Sequence, residues 1–130
     1  MEVPRSCSLP SALWRLTCNE SPLAGSGKLE EMATCSADVI GLDWSVDIAR
    51  SRATLGTDRV VQGNVDPMVL FGTEAVITAE VERVLSAAGP SRHILNVGHG
   101  VVQGTPEDSV GLFCDLARRS GSPARELAAV

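Results

Sequence analysis

Three short apolar runs constrain this chain most: "ADVIGLDW", "DRVVQGN" and "RHILNVGHG". Each has strand length and is followed by a stretch with helical spacing. After the first comes "SVDIARSRATLG", with Val46, Ile48, Ala49 and Leu55 in helical register and Gly56 as a stop. The second leads to "TEAVITAEVERVLSAAGP". There Thr73 reads as an N-cap, Ala75, Val76, Ala79, Val81, Val84 and Leu85 recur on one side, and Gly89-Pro90 ends the run. The third leads to "TPEDSVGLFCDLARRSG". Thr105 reads as its cap, Pro106 takes the first turn, and Arg118 and Arg119 sit at the negative end. A shorter amphipathic segment, "GSGKLEEMATCSA", precedes the first run and places Leu29, Met32 and Ala33 at helical spacing. Strands alternating with helices are parallel and joined by right-handed crossovers. Runs that are apolar on both faces suit strands buried on both faces.

Two α/β architectures satisfy this order: a doubly wound sheet, or a partial (β/α)8 TIM barrel of about three parallel strands with flanking helices. A whole barrel needs about 200 residues or more, and the chain has 130. Barrel sequence of this length is therefore a piece with two open strand edges. The chain divides into an irregular segment, 1–23, broken by Pro4, Pro10 and Pro22; a folded part, 24–120; and a flexible tail, 121–130.

Composition removes several function classes. The formal net charge is -5, against the basic face a nucleic-acid binder needs. Aromatics are 3% with no tyrosine, which leaves little for base stacking. No apolar run approaches the roughly 18 residues of a membrane span. The first 18 residues carry Arg5, Arg15 and several serines, a faint transit-peptide flavour that Glu2 counts against. Cys7, Cys18, Cys35 and Cys114 form no close pair with one another or with a histidine, so they read as reduced thiols and not as zinc ligands.

In both architectures ligands bind beyond the carboxyl ends of the strands. Three stretches fall there: "GLDW" (41–44), "QGNVDP" (62–67) and "NVGHG" (96–100). Asp43 can serve as an acid–base carboxylate, cap the helix that starts near Val46, or pair with a buried donor. Asn64 and Asp66 either bind ligand or satisfy backbone groups in a turn, with Pro67 opening a short helix after an aspartate cap. His99 lies between Gly98 and Gly100, where the backbone can approach a ligand closely. Its imidazole can donate a hydrogen bond to a carboxylate or to a developing anion; the competing reading is a turn histidine bonded to a neighbouring carbonyl. His93, inside the third run, reads as structural. Walker, Rossmann and nucleophile-elbow spacings are all missing.

As a set, "GSGKLEEMATCSADVIGLDWSVD", "VVQGNVDPMVLFG" and "HILNVGHGVVQGTPEDSVGLFCDLAR" resemble uroporphyrinogen decarboxylase in order and spacing, from about Ala24 to about Arg119. The resemblance covers about the carboxyl-terminal third of a full-length member. It implies a (β/α)8 barrel acting as a homodimer without metal or organic cofactor. It implies a lyase of porphyrin, heme or chlorophyll biosynthesis, in the cytoplasm or plastid stroma, that converts the four acetate arms of uroporphyrinogen III to methyl groups and yields coproporphyrinogen III. In that family the histidine of the GHG motif contacts substrate, which carries over to His99, with Gly98 and Gly100 shaping the loop as further substrate-binding positions. The family's substrate-binding arginines, its central aspartate, and a pocket tyrosine and serine precede the matched region, so no catalytic residue carries over. After "GHG" the family often has Pro-Asp, where Gln103 and Gly104 stand here. The expectation is a fragment of the decarboxylase that is inactive alone. The alternative is a non-catalytic tetrapyrrole-binding or interaction remnant. The distantly similar corrinoid-dependent methyltransferases need zinc held by cysteine and histidine, and that ligand spacing is absent.

Overall fold

Each apolar run forms a strand, and each helical stretch a helix, in the computed structural model of the chain, which describes residues 18–19 and 27–120. In chain order these are β1 (Cys18–Asn19), α1 (Gly27–Ala33), β2 (Val39–Gly41), α2 (Ile48–Leu55), β3 (Val60–Val65), a 3-10 turn (Pro67–Phe71), α3 (Glu74–Ala88), β4 (His93–Val97) and α4 (Glu107–Ser120). The transit-peptide flavour of the amino terminus, apart from Cys18, and the tail 121–130 lie outside the described residues. The sequence predicts three strands; β1 adds a fourth from the segment read as irregular. Two residues are too few to show a period, and pairing with Ile40 and Gly41 of β2 is what makes them a strand.

All neighbouring strands are parallel, in the spatial order β1-β2-β3-β4. This order decides between the two architectures. Sequential right-handed crossovers that never reverse direction put every helix on one side of the sheet, and successive helices do pack against each other. A doubly wound sheet requires a reversal of strand order. The sheet is thus singly wound, an α/β arc of partial (β/α)8 barrel.

The core lies between sheet and helices. Strand residues Ile40, Val61 and Val65, with Leu42 just past β2, meet Ile48, Leu55, Leu70, Ile77, Val81, Val84 and Phe113, all buried. Each fully buried aliphatic side chain contributes about 1.5–3 kcal/mol of transfer free energy. The register aligns Val61 with His93, Gly63 with Leu95 and Val65 with Val97, so these share the helix side. Gln62 and Ile94 alternate to the other face, where Ile94 is exposed. The stripe on α3 differs from the sequence reading. Ile77, Val81, Val84 and Ala88 are buried, while Ala75, Val76 and Ala79 face solvent. The buried set follows the i, i+4, i+7, i+11 progression of one helix face, and Val76 lies a full residue step off it.

Capping also shifts. Asp47, not Asp43, caps α2, its Oδ1 accepting from Arg50 N at 2.8 Å. Thr73 caps α3 as expected. Thr105 does not cap α4: its hydroxyl donates back to Val102 O at 2.7 Å, and the Pro106 carbonyl takes the first helical bonds.

At the amino ends of the strands, arginines tie the crossovers together. Arg52 donates from Nε to Ala88 O at 2.9 Å, from Nη1 to Arg59 O at 2.7 Å, and from Nη2 to Ser91 O. Arg59 donates to Ala37 O at 2.7 Å and Ala33 O at 3.0 Å. No helix among the described residues is long and apolar enough to cross a membrane.

Candidate functional site at the carboxyl ends of the strands

The three stretches singled out in the sequence converge where β2, β3 and β4 end. Beyond β2 the chain turns at once: Asp43 Oδ1 accepts from Ser45 N at 2.8 Å, and the Asp43 carbonyl accepts from Val46 N. Asp43 is only 2% exposed, so it is no open acid–base group at the rim. Trp44, at the tip of this turn, is half exposed.

Asn64 belongs to β3, not to a turn. Its Nδ2 reaches across to the Asp43 carbonyl at 3.2 Å and the Val46 carbonyl at 2.6 Å. One buried amide thereby fastens the β2 turn to the end of β3. Asp66 behaves as its sequence suggests: its side chain accepts from Met68 N at 2.9 Å and caps the turn that Pro67 opens. Gly63, directly before Asn64, has φ +126°, and a Cβ there would lie 2.5 Å from the Leu42 carbonyl oxygen. Strands β2 and β3 approach so closely here that only glycine fits.

Beyond β4, Gly98 donates its N–H to Val65 O at 2.7 Å. A Cβ on Gly98 would lie 2.2 Å from Trp44 N and 2.6 Å from Trp44 Cα. The β4 loop therefore rests directly on the backbone of the β2 turn. Gly100 is different, since its Cβ position is open and its φ lies outside the left-handed range. His99, between them, is exposed at the rim and makes no hydrogen bond with the described residues. The carbonyl-bonded turn histidine that the sequence also allowed is not formed.

His93 is structural, as read. Its ring lies on the helix side of β4, and Nε2 donates to Gly63 O at 2.6 Å. Burial holds the imidazole below its ordinary value of 6.5; the bond to Gly63 opposes this and the nearby Arg52 guanidinium adds to it. The unfolded chain therefore takes up this proton first, so stability is full above about pH 6.5 and falls as the pH drops below it. Urea denaturation at pH 7.5 and 5.5 is expected to show this loss. In His93→Gln, which keeps an N–H donor but does not titrate, the difference between the two pH values should shrink; an unchanged difference would assign it to other groups.

The sequence pointed to His99, Gly98 and the two flanking loops. It gave no sign of the Asn64 bridge or the Gly98–Trp44 contact, because both join residues far apart in the chain.

Known proteins resemble this chain in sequence and in fold. The family model described as uroporphyrinogen decarboxylase (URO-D) matches residues 22–120. The chain is 48% identical over 109 residues to "Uroporphyrinogen decarboxylase 1, chloroplastic" of Oryza sativa subsp. japonica, covering 80% of this chain and 27% of that protein. It is 49% identical over 92 residues to "Uroporphyrinogen decarboxylase 2, chloroplastic" of Arabidopsis thaliana, covering 71% and 23%. It is 47% identical over 98 residues to the uroporphyrinogen decarboxylase of Crocosphaera subtropica, covering 75% and 28%. The aligned region thus spans about a quarter of the length of each relative. Among solved structures, a methyltransferase from Methanosarcina mazei superposes with a TM-score of 0.61 at 22% identity, covering 70% of this chain and 27% of that one. That likeness is one of fold.

Proposed function

The chain belongs to the uroporphyrinogen decarboxylase family, and from that premise we propose that it forms the His99 wall of a uroporphyrinogen pocket. The reaction served is removal of carboxylates from the acetate arms of uroporphyrinogen III to give coproporphyrinogen III. In each step the bond between the methylene and carboxylate carbons breaks, carbon dioxide leaves, and a proton takes its place on the methylene.

One observation carries the reading. His99 stands exposed at the carboxyl end of β4 with its ring free of hydrogen bonds to the described residues, in the region matched by the family. The substrate is a polyanion, and an imidazole at the mouth can donate a charge-assisted hydrogen bond to one of its carboxylates. Gly98 contributes by letting the loop settle on Trp44, which fixes the height from which His99 projects. Gly100 is the third substrate-binding position of the motif. The family's substrate arginines and central aspartate precede the matched region, so the 130-residue chain on its own supplies a binding surface and no turnover. The family resemblance extends the proposal to a homodimer of the complete barrel, working in the plastid stroma or the cytoplasm.

Fluorescence titration with uroporphyrin, the stable oxidised analogue, tests the binding role. The chain is expected to bind it, and His99→Ala to weaken binding about tenfold, the worth of one charge-assisted hydrogen bond. Equal affinity in the two proteins would remove His99 from the site. Incubation with uroporphyrinogen III should give no coproporphyrinogen, and measurable product would overturn the assignment of catalysis to residues outside this chain.

A further inference from the structure

Among the described residues, two side-chain oxygens are buried without a donor: Asp43 Oδ2 and Asn64 Oδ1. Both residues are 2% exposed, and they are neighbours, since Asn64 Nδ2 lies 3.2 Å from the Asp43 carbonyl. Their other polar atoms are already committed. Asp43 Oδ1 accepts from Ser45 N, and Asn64 Nδ2 donates to two carbonyls. Those two bonds also fix which end of the Asn64 amide is nitrogen, because a flipped amide would set its oxygen against two carbonyl oxygens.

A buried acceptor without a donor is disfavoured, and a carboxylate oxygen more so than a neutral one. Two of them on adjacent buried residues call for a common donor. We propose that Asp43 and Asn64 form an internal site for one water molecule, whose two O–H groups donate to Asp43 Oδ2 and Asn64 Oδ1. The stoichiometry matches: two open acceptors on neighbouring residues call for one molecule with two donors, and a buried water ordinarily bridges polar groups of this kind. The site lies under the turn that carries Trp44, on which Gly98 rests. The bound water therefore completes the link between the ends of β2 and β3 and sets the seat of the β4 loop. An ammonium ion offers the same donor chemistry, so the experiment separates the two.

NMR on the intact chain tests the proposal. The Asn64 side-chain amide protons should show cross-peaks to water with the sign of a molecule held longer than rotational tumbling. Absence of such peaks in the folded chain, or a protein side chain in their place, would overturn the site. Spectra recorded with 15N-labelled ammonium should leave the water peaks unchanged; their replacement by ammonium peaks would overturn water as the occupant. A second readout uses Asp43→Asn, which keeps the acceptor for Ser45 N and puts an N–H donor where Oδ2 stood. Its folding equilibrium constant should change by less than about tenfold. A larger loss would mean that Oδ2 serves a cation and not a water.

Discussion

Gly98→Ala is expected to destabilise the chain by about 3 kcal/mol. The added methyl would sit 2.2 Å from Trp44 N and 2.6 Å from Trp44 Cα. Its obstacle is backbone, which cannot rotate away as the end of a flexible side chain can. Retreat of the β4 loop is blocked as well, because the Gly98 N–H is held by Val65 O at 2.7 Å. Either that bond breaks or the β2 turn moves, and the turn is fastened to β3 by Asn64. Gly100→Ala is the control. Its Cβ position is open, and the substitution should stay within about 0.5 kcal/mol of wild type. Urea denaturation followed by far-UV circular dichroism compares the two. Equal losses would show that the loop does not rest on Trp44.

Arg52→Ala should cost about 2–3 kcal/mol, less than three charged hydrogen bonds would suggest, because the side chain is only partly buried. The guanidinium joins the end of α3, the chain before β3 and the chain before β4 through Ala88, Arg59 and Ser91. Three carbonyls in three directions need a planar fork, so Arg52→Lys should recover only part of the loss. Arg83→Ala and Arg118→Ala are the comparison. Their exposed pairs with Glu80 and Asp115 lie within single helices, and each should cost less than about 1 kcal/mol. Thermal denaturation reads all four. An Arg52→Ala chain that melts with the Arg83 variant would refute the tie. Arg52 also helps hold His93 below its ordinary value, so the His93 ring should titrate at higher pH in Arg52→Ala.

These two sites show different degrees of visibility in the sequence. Gly98 attracts notice because two glycines flank a histidine after an apolar run. Its neighbour Gly100 looks equivalent in the sequence, and the structure separates them: one touches backbone, the other open space. Arg52 carries no signal at all, since an arginine on an amphipathic helix is usually a solvated side chain. Its role depends on carbonyls at positions 59, 88 and 91, which only the crossovers bring within reach. Asp43 and Asp47 show a third case. Both precede α2 and both are good caps, but the helix starts at Ile48, so Asp47 directly before it does the capping and Asp43, four residues earlier, is buried.

Read alone, the sequence settles the order of helices and strands, the parallel pairing and the three strand-end stretches. Those follow from periods of 2 and 3.6 residues and from capping signals, which act over a few neighbours. Its ordered motifs also pointed to the family. Four features emerge only in three dimensions: the sheet is singly wound, β1 joins its edge, Asn64 bridges to the turn after β2, and Gly98 rests on Trp44. Each of these depends on which distant segments come into contact. Strand order and close backbone approach are set by packing across the whole sheet, and local patterning is silent about them.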